Sequence, residues 1–342
     1  MTTVRAEVTQ VLIGPPQHGV VRFGRGLIDA LQQRRFPTSQ ISVPCVGAVE
    51  LPADARSGLV HVQFTDHLFG PNPNEAAAAF TALADAIRAA GGVVTATLHD
   101  LPQPSDGRNY PSRVAAYRAV LAACAAVALN SDHERELLRE NSIDDSTVYV
   151  IPLPIPNAPA GPAPAEQTPL TLGVFGFIYP GKGHGEVIEA AEGLPPDIEV
   201  HAIGSASPGH EQLIDQLHCA AARQRRVFHV SGHIDDDRLV STLRAITVPI
   251  TAHRHISASG SLNSWLTAGR RPLAPATRYT TEVERRNPGC LHLFPDTRIG
   301  LRRAIRAALS DPPSTFLADA RAFHPSPAAA AAAYIEMFRA VR

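Results

Sequence analysis

The chain has 342 residues, and its 31 Lys and Arg side chains nearly balance 32 Asp and Glu side chains, leaving a net charge of -1. Hydrophobic residues make up 44% of the chain and charged residues 18%, which is enough apolar material for folded cores and excludes a disordered protein. The balanced charge provides no basic footprint for nucleic acid, so we expect no nucleic-acid partner. The length favours two domains.

The cysteine pattern and the hydropathy indicate where in the cell the protein is expected. The four cysteines lie far apart without a CxxC pair, and Cys124 stands in an apolar run typical of a reduced, buried thiol. We therefore expect a reducing, cytoplasmic location. No apolar run reaches the roughly 20 residues of a spanning helix, and the first residues do not resemble a signal peptide. These features predict no transmembrane segment. Weak contact with a membrane surface is the one membrane interaction that they still allow.

Short apolar runs alternate with longer helical patterns, which indicates parallel sheets covered by helices. In the first half, strands are predicted at 7–13, 39–45, 58–63, 93–98, 125–130 and 147–152. Helices are predicted there at 20–33, 74–90, 110–123 and 132–141.

A Pro- and Ala-rich segment then interrupts the pattern, and its prolines cannot continue a helix or a central strand, so we predict a linker at 156–169. The alternation restarts after this segment. Further strands are predicted at 170–177, 199–204, 227–231, 247–251, 271–274 and 290–293. Further helices are predicted at 185–191, 209–224, 236–243, 262–268, 280–285, 299–309 and 326–341.

This order of elements predicts an α/β protein with two doubly wound, Rossmann-like domains that face a central cleft. The N-terminal domain is expected at 1–155 and the C-terminal domain at 170–325. The final segment, 326–342, is expected to form a helix that can cross back to the N-terminal domain.

The most informative motif is LTLGVFGFIYPGKGHGEVIEAA, in which a strand leads through a turn with Gly176, Gly181 and Gly183 into a helix. Such a turn directs backbone N–H groups and the positive end of the helix dipole toward an anion, and Lys182 adds a full charge. The letters satisfy most of a phosphate-binding loop, but Gly183 replaces the Ser or Thr that would hold magnesium. A P-loop nucleotidase and an ordinary turn with an exposed lysine remain as alternatives.

A second candidate anion site lies in HRHISASGSLNSWLTAGRRPLAP. Hydroxyls and unpaired N–H groups at the start of a helix suit a diphosphate, and Arg254 just upstream can supply a fork of donors. An N-cap cluster that merely satisfies the helix end is the alternative. The residues of this candidate turn are Ser257, Ser259, Gly260 and Ser261.

In the first domain, VVTATLHDLPQP places His99 and Asp100 at the carboxyl end of a predicted strand, facing the expected cleft. The fragment GPPQHGVVRFGRGL follows the first strand and carries His18 and Arg22 into a helix. It lacks the GxGxxG order of a dinucleotide fingerprint. No HExxH, GxSxG or paired-cysteine zinc spacing is present, so no metal site is predicted.

Seven fragments in order resemble the family-4 type retaining glycosyltransferases of the GT-B fold. These fragments span nearly the whole chain and read HGVVRFGRGLIDAL, VHVQF, TATLHD, ALNSDHERELL, VIPLPI, FGFIYPGKGHGEVIEAA and SASGSLNSWLTAGRRPLAP.

The resemblance implies roles for the candidate residues. His99 would contact the donor sugar, Lys182 would neutralise the diphosphate, 257–261 would receive phosphate, and the turn ending at Gly19 would close over donor and acceptor. Asp100, His18 and Arg22 are the acceptor-side candidates. No metal or other cofactor is implied.

The sequence departs from the family at two places. Phe177 follows Gly176 where the family commonly has Arg, and no glutamate pair precedes the AG-x-P segment. Arg254 can replace the missing Arg. The expected activity is metal-independent transfer of a hexosyl unit from a nucleoside diphosphate sugar to a hydroxyl acceptor, with retention. A non-catalytic nucleotide-sugar-binding protein and a GT-B nucleotide-sugar epimerase are the alternatives.

Overall fold

The computed structural model describes residues 7–158, 169–253, 256–317 and 321–342. The chain divides into two compact units, the first made of Met1–Pro154 with Pro325–Arg342 and the second of Ile155–His324. Each unit contains a six-stranded sheet in which neighbouring strands run parallel. Most of the predicted linker, residues 159–168, lies outside the described residues.

The sheet of the first unit has the strand order β2-β1-β3-β4-β5-β6. Its strands are β1 (Val8–Ile13), β2 (Thr38–Val43), β3 (Leu59–Phe64), β4 (Val93–Leu98), β5 (Ala126–Leu129) and β6 (Val148–Val150). Its helices are α1 (Gly19–Gln33), α2 (Ala53–Arg56), α3 (Asp66–Phe69), α4 (Pro73–Ala89), α5 (Tyr110–Ala122) and α6 (Asp132–Glu140), with 3-10 turns at Val46–Ala48 and Pro104–Asn109.

The sheet of the second unit has the order β12-β11-β10-β7-β8-β9. Its strands are β7 (Thr171–Phe175), β8 (Glu199–Ile203), β9 (Phe228–Val230), β10 (Val248–Ile250), β11 (Leu273–Pro275) and β12 (His292–Phe294). Its helices are α7 (His184–Ala190), α8 (Gln212–Arg223), α9 (Asp236–Arg244), α10 (Gly260–Thr267), α11 (Arg278–Arg286) and α12 (Arg298–Ser310), with a 3-10 turn at Pro312–Thr315. The last helix, α13 (Pro327–Ala340), belongs to the first unit.

Every predicted strand overlaps an observed strand, because short segments rich in apolar and β-branched residues between turn signals stand out in a sequence. The two four-residue helices α2 and α3 were not predicted, since so short a segment carries no helical periodicity. Throughout the described ranges, every helix is too short or too polar to cross a lipid bilayer.

The two faces of the first sheet differ in chemistry. Alternate strand residues point to opposite faces, and one face packs an apolar core against α4, α5 and α6. The other face carries a row of fully buried polar side chains under α1 and α13, namely Gln10, His61, Gln63, Thr95 and Thr97.

Helix α13 completes this polar layer. His61 bonds to the hydroxyls of Thr95 and Thr97, each at 2.9 Å. The Tyr334 hydroxyl of α13 bonds to Thr97 at 2.8 Å, and its ring contacts His61 edge-on. A buried polar group costs free energy unless it is hydrogen-bonded, so the Tyr334 hydroxyl of α13 adds a second partner for Thr97 on this side of the sheet.

In the second unit, the connections that follow the adjacent strands β7 and β10 diverge. Helix α7 packs with α8 and α12 on one face, whereas α10 packs with α11 on the other. Two loops that leave neighbouring parallel strands toward opposite faces open a crevice at the carboxyl ends of those strands. This topology places the two turns that the sequence singled out side by side.

Arg270 holds the second unit together at the other end of β10. Its side chain is fully buried and lies over the Phe316 ring, 3.8 Å from the ring centroid. The guanidinium donates to the Thr315 hydroxyl at 2.8 Å and to several backbone carbonyls. Those carbonyls belong to Leu243, Arg244, Ile246, Thr247 and Thr315. Arg270 therefore joins the end of α9, the start of β10 and the 3-10 turn at Pro312–Thr315.

We expect Arg270→Met to lower the free energy of unfolding by about 3–5 kcal/mol, because several buried carbonyls lose their donor at once. Denaturant unfolding monitored by circular dichroism measures the loss. Arg303→Met, at an exposed position of α12, is the control and should change the stability by no more than about 0.5 kcal/mol. A loss below about 1 kcal/mol for Arg270→Met would contradict this role.

Candidate functional site

Lys182 lies in the loop between β7 and α7, and its side chain is 6% exposed. Its ammonium donates to the Ser261 hydroxyl at 2.8 Å and lies 6.0 Å from the centre of the Tyr179 ring. The exposed lysine that the ordinary-turn alternative assumed is therefore not observed. The contact with Ser261 joins the two turns predicted to bind anions.

The glycines of the Lys182 turn make this close packing feasible. Gly176 has a φ of 116°, and a Cβ there would lie 3.2 Å from Nζ of Lys182. Gly183 has a φ of 104°, and a Cβ there would lie 2.6 Å from Cβ of Ala252, in the loop after β10. A side chain at either position would strain the backbone and displace its neighbour. Gly181 lies in the same turn, with a φ of 89°.

The serine turn forms the start of α10. Ser259 is the N-cap and accepts from the backbone N–H of Leu262 at 3.1 Å, as the N-cap alternative requires, while Ser261 faces Lys182. Ser257 is buried, and Gly260, the first residue of α10, is exposed. In this turn, Ser259 therefore caps the helix and Ser261 presents its hydroxyl to Lys182.

Arg254, the predicted phosphate-binding arginine, lies outside the described residues.

The electrostatics of this site are those of a buried cation. Burial lowers the pKa of Lys182 to about 8, and no described carboxylate forms an ion pair with it. Burial, with the nearby Lys182 charge, also lowers the pKa of His184 to about 3. The pKa of His253 is lowered well below its ordinary value, first by burial and then by Lys182 and His184. The site thus presents one ammonium among neutral donors and acceptors, an arrangement that attracts an anion.

Lys182 is also distinctive by composition, since it is the only lysine in the chain and the other 30 basic Lys and Arg positions are arginine. This signal is visible in the sequence alone. A chain that uses arginine everywhere else retains at this position a compact, point-like ammonium.

In the first unit, His99 follows β4 and is almost fully buried. Its Nε2 donates to the Gln63 side-chain oxygen at 2.9 Å, its carbonyl accepts from the Tyr117 hydroxyl at 2.6 Å, and its ring packs edge-on to Phe23. Burial, and next the proximity of His18, lower the pKa of His99 to about 3. His99 is therefore a neutral, firmly oriented imidazole at neutral pH.

The other first-unit candidates stand around the start of α1. His18 is the N-cap, its Nδ1 accepting from the backbone N–H of Val20 at 3.2 Å. Gly19 and Arg22 are exposed on the first turn of α1. His18 is an electrostatic neighbour of both His67 and His99, so the structure groups these three imidazoles near one helix start.

Asp100 differs from the other candidates because its carboxylate is already engaged. Arg113 donates to Asp100 at 3.0 Å, to Asp66 at 2.9 Å and to Asp106 at 2.6 Å. Asp66, His67 and Asp100 lie close enough together to hold a metal ion, but both carboxylates of this group already accept hydrogen bonds from the Arg113 guanidinium. Sequence reasoning missed Arg113, which sits inside a helix without a motif.

We expect Lys182→Met to raise the free energy of unfolding at pH 7 by about 1–3 kcal/mol, since it removes a buried charge at the cost of one hydrogen bond. The pKa of Lys182 in the folded chain, about 8, lies below its ordinary value of 10.5. Between these two pH values the unfolded chain therefore keeps a proton on Lys182 that the folded chain has lost. The stability of the wild type should therefore rise with pH across this window, and its deficit relative to Lys182→Met should narrow. Denaturant unfolding at pH 7 and pH 10 measures both effects. A less stable Lys182→Met at pH 7 would indicate a structural lysine.

Comparisons with known proteins place the fold. No protein-family model matches the chain, and no curated protein sequence matches it. Among solved structures, HepE of Anabaena in complex with UDP and glucose is 14% identical, with a TM-score of 0.66 over 98% of each chain. Sucrose-phosphate synthase of Thermosynechococcus elongatus is 15% identical, with a TM-score of 0.67 over 98% of this chain and 95% of its own.

A glycosyltransferase of Rickettsia africae is also similar, at 16% identity and a TM-score of 0.62 over 98% of this chain and 96% of its own. These neighbours are GT-B glycosyltransferases, and family-4 type is consistent with them without being specified. The two parallel sheets with their helices match the two Rossmann-like domains of such proteins. The chain therefore has the GT-B fold.

Proposed function

We propose that the protein transfers a hexosyl unit from a nucleoside diphosphate sugar to a hydroxyl acceptor. The observation that carries this proposal is the buried Lys182 ammonium, which lies beside the start of α10 at the carboxyl ends of β7 and β10. Ligands of open α/β sheets bind at such a point, and phosphate binds where helix N-termini and cations converge. The same fold holds UDP and glucose in HepE.

Departure of the nucleoside diphosphate is the step that the Lys182 site would assist. Negative charge grows on the leaving phosphate as the bond from the anomeric carbon to the phosphate oxygen breaks. An ammonium fixed in a buried position stabilises that charge more than the ground state, and so lowers the barrier. Lys182 would supply the positive charge that a divalent cation supplies elsewhere, so we propose that transfer requires no metal.

We also propose that the anomeric configuration is retained. The acceptor oxygen would form its bond to the anomeric carbon on the face that the phosphate leaves, and the acceptor proton would pass to the departing phosphate oxygen. His99 suits a positioning role in this scheme, because a neutral imidazole held by Gln63 can hydrogen-bond a sugar hydroxyl. His18 and Arg22, at the exposed start of α1, are the acceptor-side candidates.

A nucleotide-sugar-binding protein without transferase activity is the second candidate. The observation that favours it concerns the positions where the resembling family carries two glutamates, Ile256 or Ser257 and Ser264 or Trp265 in this chain. Ile256, Ser257 and Trp265 are buried, and the hydroxyl of Ser264 donates to the carbonyl of Gly260 within α10. None of these side chains is a carboxylate that could bind sugar or ribose hydroxyls.

We expect Lys182→Met to reduce glycosyl transfer by about ten- to a hundredfold or more, because a charge-assisted contact to the leaving group contributes about 1.5–3 kcal/mol. Release of UDP, GDP or ADP from the corresponding sugars is measured with a panel of hydroxyl acceptors, once in EDTA and once with magnesium. Arg303→Met is the control for removal of a positive charge from the second unit.

The outcomes separate the candidates. Turnover in EDTA that Lys182→Met abolishes supports the proposal, and near-normal turnover of Lys182→Met contradicts it. If a nucleotide sugar stabilises the protein but is not consumed with any acceptor of the panel, the result supports the second candidate, a nucleotide-sugar-binding protein. Interconversion of two donor sugars without an acceptor would indicate an epimerase.

A further inference from the structure

The Lys182 ammonium is the first member of a chain of hydrogen bonds that ends on a buried histidine. The ammonium lies 2.8 Å from the Ser261 hydroxyl, and the Ser261 and Ser259 hydroxyls lie 3.1 Å apart. The Ser259 hydroxyl in turn lies 3.3 Å from Nε2 of His253. His253 is 5% exposed, so the far end of the chain is closed to solvent.

One consistent set of directions runs from the ammonium to the histidine. An ammonium can only donate, so the Ser261 oxygen accepts from Lys182, and the single proton of Ser261 is directed to Ser259. The Ser259 oxygen also accepts from the backbone N–H of Leu262. The proton of Ser259 is then directed to Nε2 of His253, which accepts it as a neutral imidazole.

We propose that His253 is a positioning residue for the Lys182 ammonium and acts on it through the hydroxyls of Ser259 and Ser261. A neutral terminal acceptor orients both hydroxyls with their oxygens toward the ammonium, and successive bonds polarise one another. A carboxylate in the same place would cancel the lysine charge, whereas the imidazole leaves that charge available to an anion. The use of this device in catalysis rests on the proposed function, but the chain of bonds itself does not.

The chemical shift of a labelled lysine tests the inference without any ligand. Because Lys182 is the only lysine, incorporation of lysine labelled with ¹³C at Cε gives one resonance, whose pH titration reports the proton affinity of this ammonium. We expect His253→Leu to weaken that affinity about three- to tenfold, since the chain of hydrogen bonds loses its terminal acceptor. His253→Gln should recover most of the affinity, because its amide oxygen reaches the position of Nε2, and the shorter His253→Asn should not.

A double-mutant cycle separates the relay from a general effect of burial. Ser261→Ala cuts the chain between Lys182 and His253, so His253→Leu should cause no additional shift in the Ser261→Ala background. His184→Leu is the matched control, because His184 is a buried imidazole near Lys182 without a hydrogen bond to the described residues. Any shift that His184→Leu causes in the pKa of Lys182 should persist in the Ser261→Ala background.

Each result bears on the proposal. The proposal would be overturned if His253→Leu shifted the pKa of Lys182 equally with and without the Ser261 hydroxyl. It would also be overturned if His253→Gln and His253→Asn gave the same pKa for Lys182. The Gln and Asn variants, which keep a polar side chain, decide the question if His253→Leu does not fold. All measurements use the ligand-free chain, so a failure to bind any nucleotide sugar would refute the proposed function and leave the outcome for His253 intact.

Discussion

The arrangement of the second unit centres on one buried ammonium that has hydroxyls as neighbours and no described carboxylate as partner. Removing a charge from water is costly, and hydrogen bonds to neutral groups repay only part of that cost. The left-handed Gly176 and Gly183, the close approach of the loops after β7 and β10, and the capped start of α10 together enclose this charge. A site of this kind is less stable alone than with an anion bound.

The sequence was sufficient for the architecture because the signals involved are local. A buried parallel strand such as Thr171–Phe175 is a mainly apolar run next to glycine- and proline-containing turns, and helices such as Pro73–Ala89 keep a regular apolar face. The pairing of Lys182 with the serine turn was also within reach, since both follow strands that a doubly wound sheet places side by side.

Contacts that depend on the packing of distant segments could not be predicted in this way. Arg113 meets Asp66, Asp100 and Asp106 only after three separate segments have folded together. Arg270 bonds to carbonyls from α9, from the residues just before β10 and from a 3-10 turn, none of which has a side-chain signature. His253 gave no signal by spacing, because its partner, Ser259, is defined by the geometry of the turn before α10.

The return of α13 to the first unit has a consequence for biosynthesis. Tyr334 closes the polar row of His61 and Thr97, yet the whole of Ile155–His324 separates α13 from the preceding part of that unit. During translation, this face of the first sheet must therefore wait, with its polar groups hydrated, until the second unit has emerged from the ribosome. The order of synthesis allows the second unit to fold as an uninterrupted segment, whereas the first can be completed only afterward.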